Sequence, residues 1–158
     1  MGTKHHQVVI DKEGNMKIAQ YGQWDGYPSG QGVDILNYLR GANLEKYQEN
    51  LAKIPEITKK QEAEVYKDKN WPTNYPYLSR NCGAKIHQMI ENGGVPFVAY
   101  CSKEEANKWC EGFYTIDFQK NTFTADYYDT KKEYSLSKLP TIKKFLKDFT
   151  QKEEDDTF

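Results

Sequence analysis

The segment Gly22-Gln23-Trp24-Asp25-Gly26-Tyr27-Pro28-Ser29-Gly30-Gln31-Gly32 places four glycines and a proline within eleven residues. Glycine loses the most backbone freedom on ordering and proline lacks an N–H, so this run is expected to interrupt regular structure. Its flanks say what it connects. On one side His6–Asp11 alternates loosely, Lys12-Glu13-Gly14-Asn15 is a turn cluster, and Met16–Tyr21 reads as the returning strand of a hairpin. On the other, Val33, Ile35, Leu36 and Leu39 form an apolar helical stripe that stops at Gly41. The run therefore lies between a strand and a helix.

Beyond it, Asn43 is placed to cap a helix whose Leu44, Tyr47, Leu51 and Ile54 share one face. Residues 56–69 are charged on most faces and predict a solvent-exposed helix. Asn70–Pro76 reads as a loop with two prolines and two large aromatics, Trp71 and Tyr75. A helix carrying Leu78, Cys82, Ile86 and Ile90 is expected next, ended by Asn92-Gly93-Gly94. Val95–Tyr100 resembles a short strand, and Ser102 with Glu105 a capping box for a helix through Cys110. Gly112–Phe118 and Thr122–Tyr128 form a hairpin around Gln119-Lys120-Asn121, Glu133–Leu136 adds a third strand, and Pro140-Thr141 opens a last helix. Strands at both ends with helices between them predict an α+β fold. Its antiparallel sheet comes from an N-terminal hairpin and a C-terminal meander, with helices from the middle and C-terminus on one face. A single domain over 1–152 and a solvated acidic tail over 153–158 complete the organisation.

Leu, Ile, Val and Phe supply only about a fifth of the residues, a level at which disorder becomes a concern. A net charge of only −1 and the 3 Trp, 12 Tyr and 7 Phe side chains restore the globular expectation. Mean hydropathy of −0.91 without a long apolar run predicts no membrane span. No charged-then-apolar leader is visible, and the three cysteines, Cys82, Cys101 and Cys110, make an odd set. Both point to a reducing, cytoplasmic setting with free thiols. Acidic and basic residues nearly cancel, and Arg40 and Arg80 are the only arginines, which disfavours specific nucleic-acid readout.

The glycine-rich run carries the candidate site. Gly30 and Gly32 allow close backbone approach, Ser29 offers a hydroxyl, and a helix N-terminus favours anions. Trp24 and Tyr27 present flat faces, and Asp25 is the only charged group of the run. These residues suit a nucleotide-like ligand, with Asp25 as general base or metal ligand and the amides of Ser29–Gly32 as an anion site. No Gly-Lys-Ser/Thr ending follows, and Gly-Tyr-Pro-Ser-Gly misses the nucleophile elbow by one residue. The competing reading is structural: Asp25-Gly26 as a turn, Pro28 as a stiffener, Trp24 and Tyr27 as core plugs. Trp71, Tyr75 and Tyr77 read as either another plug or an interface anchor.

Cys82, His87, Cys101 and Cys110 have spacings unlike those of zinc pairs, so no metal and no cofactor are expected. Adjacent His5 and His6 on a strand face opposite ways. Pairing Cys82 or Ser29 with His5, His6 or His87 as nucleophile and base depends on the fold alone.

Met1-Gly2-Thr3 and the stretch from Ala19 to Gly32 that ends Gln-Trp-Asp-Gly-Tyr-Pro-Ser-Gly-Gln-Gly resemble an uncharacterised family. Its members are small proteins of phages, prophages and their bacterial hosts. Phe113–Phe118 and Ser135–Pro140 resemble the same family's C-terminal half. The resemblance supplies no catalytic residue. It implies a mobile-element accessory protein that works by binding a host or defence protein, such as a CRISPR nuclease or a signalling effector. A nucleotide sponge or hydrolase built on the run is the alternative, and a nucleic-acid binder is least favoured.

Overall fold

Two β-rich stretches meet through one parallel strand pair in the computed structural model, which describes residues 2–156 and side chains through Phe149. Strands β1 (His5–Ile10) and β2 (Met16–Gly22) form the expected hairpin, and β3 (Gly112–Asp117), β4 (Thr122–Tyr127) and β5 (Thr130–Ser135) the expected meander. The sheet order is β2-β1-β3-β4-β5. Every neighbouring pair is antiparallel except β1 and β3, whose register runs from His5 opposite Gly112 to Ile10 opposite Asp117. The sheet is thus mixed at its centre. A long helical crossover between β2 and β3 makes that parallel pairing possible.

Strand alternation gives the sheet a wet and a dry face. Val9, Ile18, Tyr114, Ile116, Phe123 and Ala125 share the dry face and join one core. That core is completed by α1 (Val33–Gly41), α2 (Leu44–Ala52), α5 (Lys85–Glu91) and α7 (Ile142–Asp156). Phe145 of α7 is fully buried against Phe123, Tyr134 and Phe149. The exposed helix α3 (Lys59–Tyr66) buries only Val65, as its charge pattern predicts, and Thr58 caps it.

One helix departs from the one-face arrangement. α6 (Lys103–Trp109) lies over the opposite face, where Ala106 is fully buried and His6 Nε2 meets the Cys101 carbonyl at 2.7 Å. The remainder of that face carries Thr115, Thr122, Thr124, Asp126, Lys131 and Glu133 along a groove of ≈ 310 Å³.

Four local expectations change. Residues Pro28–Gly32 form a π-helical turn leading into α1, because Pro28 at its start has no N–H to lose and the glycines pack closely. Residues 70–76 contain a short helix, α4 (Trp71–Asn74), followed by a 3₁₀ turn at Pro76–Leu78. The helix expected from Leu78 begins only at Lys85, since Gly83 sits at φ 55°, a left-handed value that no helix interior holds. Val95–Tyr100 forms isolated bridges instead of a strand. Its Val98 exchanges backbone bonds with Pro55 and Ile57, Cys101 N turns to Ala19 O, and Pro96 cannot donate to a ladder. The acidic block remains in the helical backbone through Asp156, while residues 157 and 158 of the expected tail lie outside the described ones.

Candidate functional site

The glycine-rich run is held in a single shape by bonds that leave its tip outside. Gly26 N donates to Thr3 O at 2.8 Å, and Tyr114 Oη donates to Gly26 O at 2.7 Å. Gln31 N donates to Asp25 O at 2.8 Å, closing the turn. Asp25 adopts φ 56°, an uncommon backbone for any residue but glycine, and it accepts the Tyr27 hydroxyl at 2.9 Å. That bond and the nearby carboxylate make the Tyr27 phenol less acidic than usual.

A second segment, residues 79–84, is clamped to the first. Gln23 N donates to Arg80 O at 2.9 Å, and Trp24 Nε1 donates to Asn81 Oδ1 at 2.6 Å. Gln31 bridges the two, accepting from Ala84 N at 2.8 Å and donating to Trp24 O at 3.2 Å. Between these segments and helices α1 and α5 runs a groove of ≈ 760 Å³. Trp24 and Asp25 form one wall, Asp34 and Asn37 of α1 another, and Lys85 and Gln88 of α5 the third.

The structure divides the expected site residues. Trp24 is 46% exposed and borders the groove, so it is no core plug. Asp25 lies beside it. Tyr27 and Ser29 do not border the groove, although Tyr27 reaches it through Asp25. Gly30 packs beneath Asp25, where an added Cβ would overlap the Asp25 carbonyl. Gly32 is buried under Phe145 and Tyr114 and is unavailable to a ligand. Two of the amides expected to form an anion site are spent within the turn, Gly30 N donating to Tyr27 O and Gln31 N to Asp25 O. Trp71 and Tyr75 belong elsewhere: Trp71 meets Tyr66 edge-on at 5.1 Å, and Tyr75 borders a separate groove with Val65 and Phe97. Sequence reasoning missed Gln31, Asp34, Asn81 and Lys85. Gln31 alone left a signal, as the one long polar side chain among the glycines of the turn.

The histidines are spent on structure. His87 is enclosed, with Nε2 2.8 Å from Gln7 Oε1 and Nδ1 2.9 Å from Tyr47 Oη. Gln7 Nε2 donates to Gly83 O and approaches Gln20 Oε1, which leaves Gln7 Oε1 to accept. His87 must therefore carry its proton on Nε2 and accept from Tyr47 at Nδ1. Burial pulls its pKa down to about 3. His5 is 1% exposed, neither ring nitrogen has a hydrogen-bond partner among the described residues, and burial lowers its pKa to about 4. His6 is lowered as well, chiefly by burial. Ser29 stands exposed while all three imidazoles are buried, so it pairs with none of them; Cys82 is buried, but both His87 nitrogens are taken by Gln7 and Tyr47 and His6 Nε2 by the Cys101 carbonyl.

Cys82 is buried, and burial pushes its thiol up to about 11; that of Cys110 rises to about 12. These thiols remain protonated and poorly nucleophilic at neutral pH. Among the described residues no group of three His, Cys, Asp or Glu is placed to hold a metal ion. No described helix is long and apolar enough to cross a membrane.

No protein-family model matches the chain, and neither the curated proteins nor the solved structures contain a match.

Proposed function

We propose that the chain acts by binding, as a phage or mobile-element accessory protein that engages a bacterial host or defence protein in the cytoplasm. Inhibition of a defence nuclease or signalling effector is the form of that action we favour. The observation that carries the reading is Trp24. Its ring is exposed yet fixed, tied to Asn81 through Nε1 and backed by Gly2, where an added Cβ would overlap the indole. A large aromatic held in place before contact loses little entropy on docking, which is how interface anchors gain their effect. The resemblance to phage and prophage proteins supplies the cellular context.

A nucleotide-like ligand is the second reading, favoured by a groove of ≈ 760 Å³, a size suited to small molecules. The carboxylates of Asp25 and Asp34 on its walls oppose a phosphate.

The test is recovery of the tagged wild-type protein from infected low-GC bacterial cells, with protein and small-molecule mass spectrometry on one eluate. A stoichiometric host or defence protein is expected. A nucleotide without a protein partner would transfer the case to the second reading, and an eluate containing neither would overturn the proposal.

A further inference from the structure

We infer that the groove beside Trp24 receives a guanidinium or ammonium side chain, arginine above all, presented by the protein partner; this rests on the binding reading above. Three observations converge. Carboxylates outnumber ammonium groups along the groove, with Asp25 and Asp34 against Lys85. The rest of its polar lining consists of neutral amides, Gln31, Asn37, Asn81 and Gln88, together with Tyr38 Oη. Gln31 and Asn81 already spend acceptors on Ala84 N and Trp24 Nε1, Tyr38 donates to Glu91, and Asp25 accepts from Tyr27 through Oδ1 alone, so the two carboxylates are the charged acceptors of the lining and Asp25 keeps Oδ2 for a ligand.

An indole is the strongest aromatic partner for a cation, and a carboxylate is the natural acceptor for a guanidinium fork. Trp24 and Asp25 are sequence neighbours on the same wall, so one incoming cation meets the ring and the carboxylate together. Lys85, on the opposite helix, sets a limit on where that cation sits: against Trp24 and Asp25, away from α5. It also discriminates, because an acidic side chain could pair with Lys85 only by approaching two carboxylates. Tyr27 completes the arrangement, as its hydroxyl holds the Asp25 carboxylate in place.

The test uses isotopically labelled full-length protein titrated with N-acetyl-arginine amide. The readout is the Trp24 indole N–H resonance, assigned by its loss in Trp24→Phe. A saturable shift is expected, weakened at least tenfold in the double variant Asp25→Asn, Asp34→Asn. Asparagine tolerates the left-handed backbone at position 25 and keeps an acceptor for Tyr27, and Asp34 is exposed, so that variant should fold; a dispersed amide spectrum checks it. N-acetyl-glutamate amide, inorganic phosphate and adenosine monophosphate should give no saturable shift. The inference is overturned by silence towards the arginine probe, by an arginine response unchanged in the double variant, or by a saturable response to phosphate or the nucleotide. Host-protein capture that the double variant retains would overturn this inference and leave the binding reading standing. Absence of capture by the wild type would remove the binding reading itself.

Discussion

Acidification from pH 7 to pH 4 should unfold the protein through its histidines before most of its carboxylates are protonated. His5 and His87 are neutral in the fold, with pKa values of about 4 and about 3 against 6.5 for the free side chain. The unfolded chain binds more protons below pH 6.5, so the stabilisation is complete above that value. It drains away as pH falls towards 4 for His5 and towards 3 for His87. A shift of that size amounts to roughly 3 kcal/mol for His5 alone once both states are compared below pH 4. His87 adds a similar order, and together they rival the net stability of a typical domain, about 5–15 kcal/mol. Urea unfolding at pH 7, 6, 5 and 4.5 should show stability falling at every step. Ring titration by NMR should show neither His5 nor His87 charging before unfolding begins. A stability that is flat between pH 7 and 5, or a ring that titrates near 6.5 in the folded protein, would contradict the assignment.

Gly22→Ala is expected to be among the most damaging single methyl additions near the site. A Cβ there would overlap the His5 imidazole across the β1–β2 ladder, in the register where His5 faces Gly22. His5 is 1% exposed and has no room to withdraw. Overpacking of a rigid interior costs up to about 3 kcal/mol, and this contact lies at the severe end. Gly41→Ala makes the matched control: nothing lies within 4 Å of its added Cβ, and it ends helix α1. That change should stabilise by about 0.5 kcal/mol, because alanine gives up less freedom on folding. Thermal unfolding of the two variants side by side checks the pair. Equal melting temperatures would show that His5 does not lie beneath Gly22.

These two effects share a cause that bears on the site. The glycine-rich run lies directly over a buried imidazole, with both Gly22 and Gly26 against His5. Residues with side chains would lift the run off the sheet and release Trp24 from Asn81. The glycines thus serve close packing, which sets the shape in which Trp24 and Asp25 are presented. Gly26 and Gly32 are buried in this packing and Pro28 opens the π-helical turn, while Trp24 and Asp25 face solvent.

Much of the sheet was legible because period-two alternation and turn clusters are local signals. The hairpin, the meander, the Asn43 and Ser102 caps and the exposed third helix followed from residues close together in the chain. The parallel β1–β3 pair was hidden, since nothing in His5–Ile10 or Gly112–Asp117 records which strand lies alongside. Residues 79–84 misled in another way: Cys82 fits the apolar spacing of a helix, but Gly83 needs a left-handed backbone so that the Gln31 amide can lie against it. The same tertiary contact built the groove. Its Asn81, Asp34 and Lys85 are brought to Trp24 from other elements and carry no motif of their own.

The measurement that tests the account most directly is capture from infected cells by three proteins in parallel: wild type, Trp24→Leu and Trp109→Leu. Trp109 is 59% exposed and borders a different groove, with Lys4, Tyr21 and Tyr100, so it controls for the loss of any surface indole. Binding through the Trp24 groove predicts that wild type and Trp109→Leu hold the same host or defence protein, and that folded Trp24→Leu releases it. Retention of that partner by folded Trp24→Leu at the wild-type level would contradict the account.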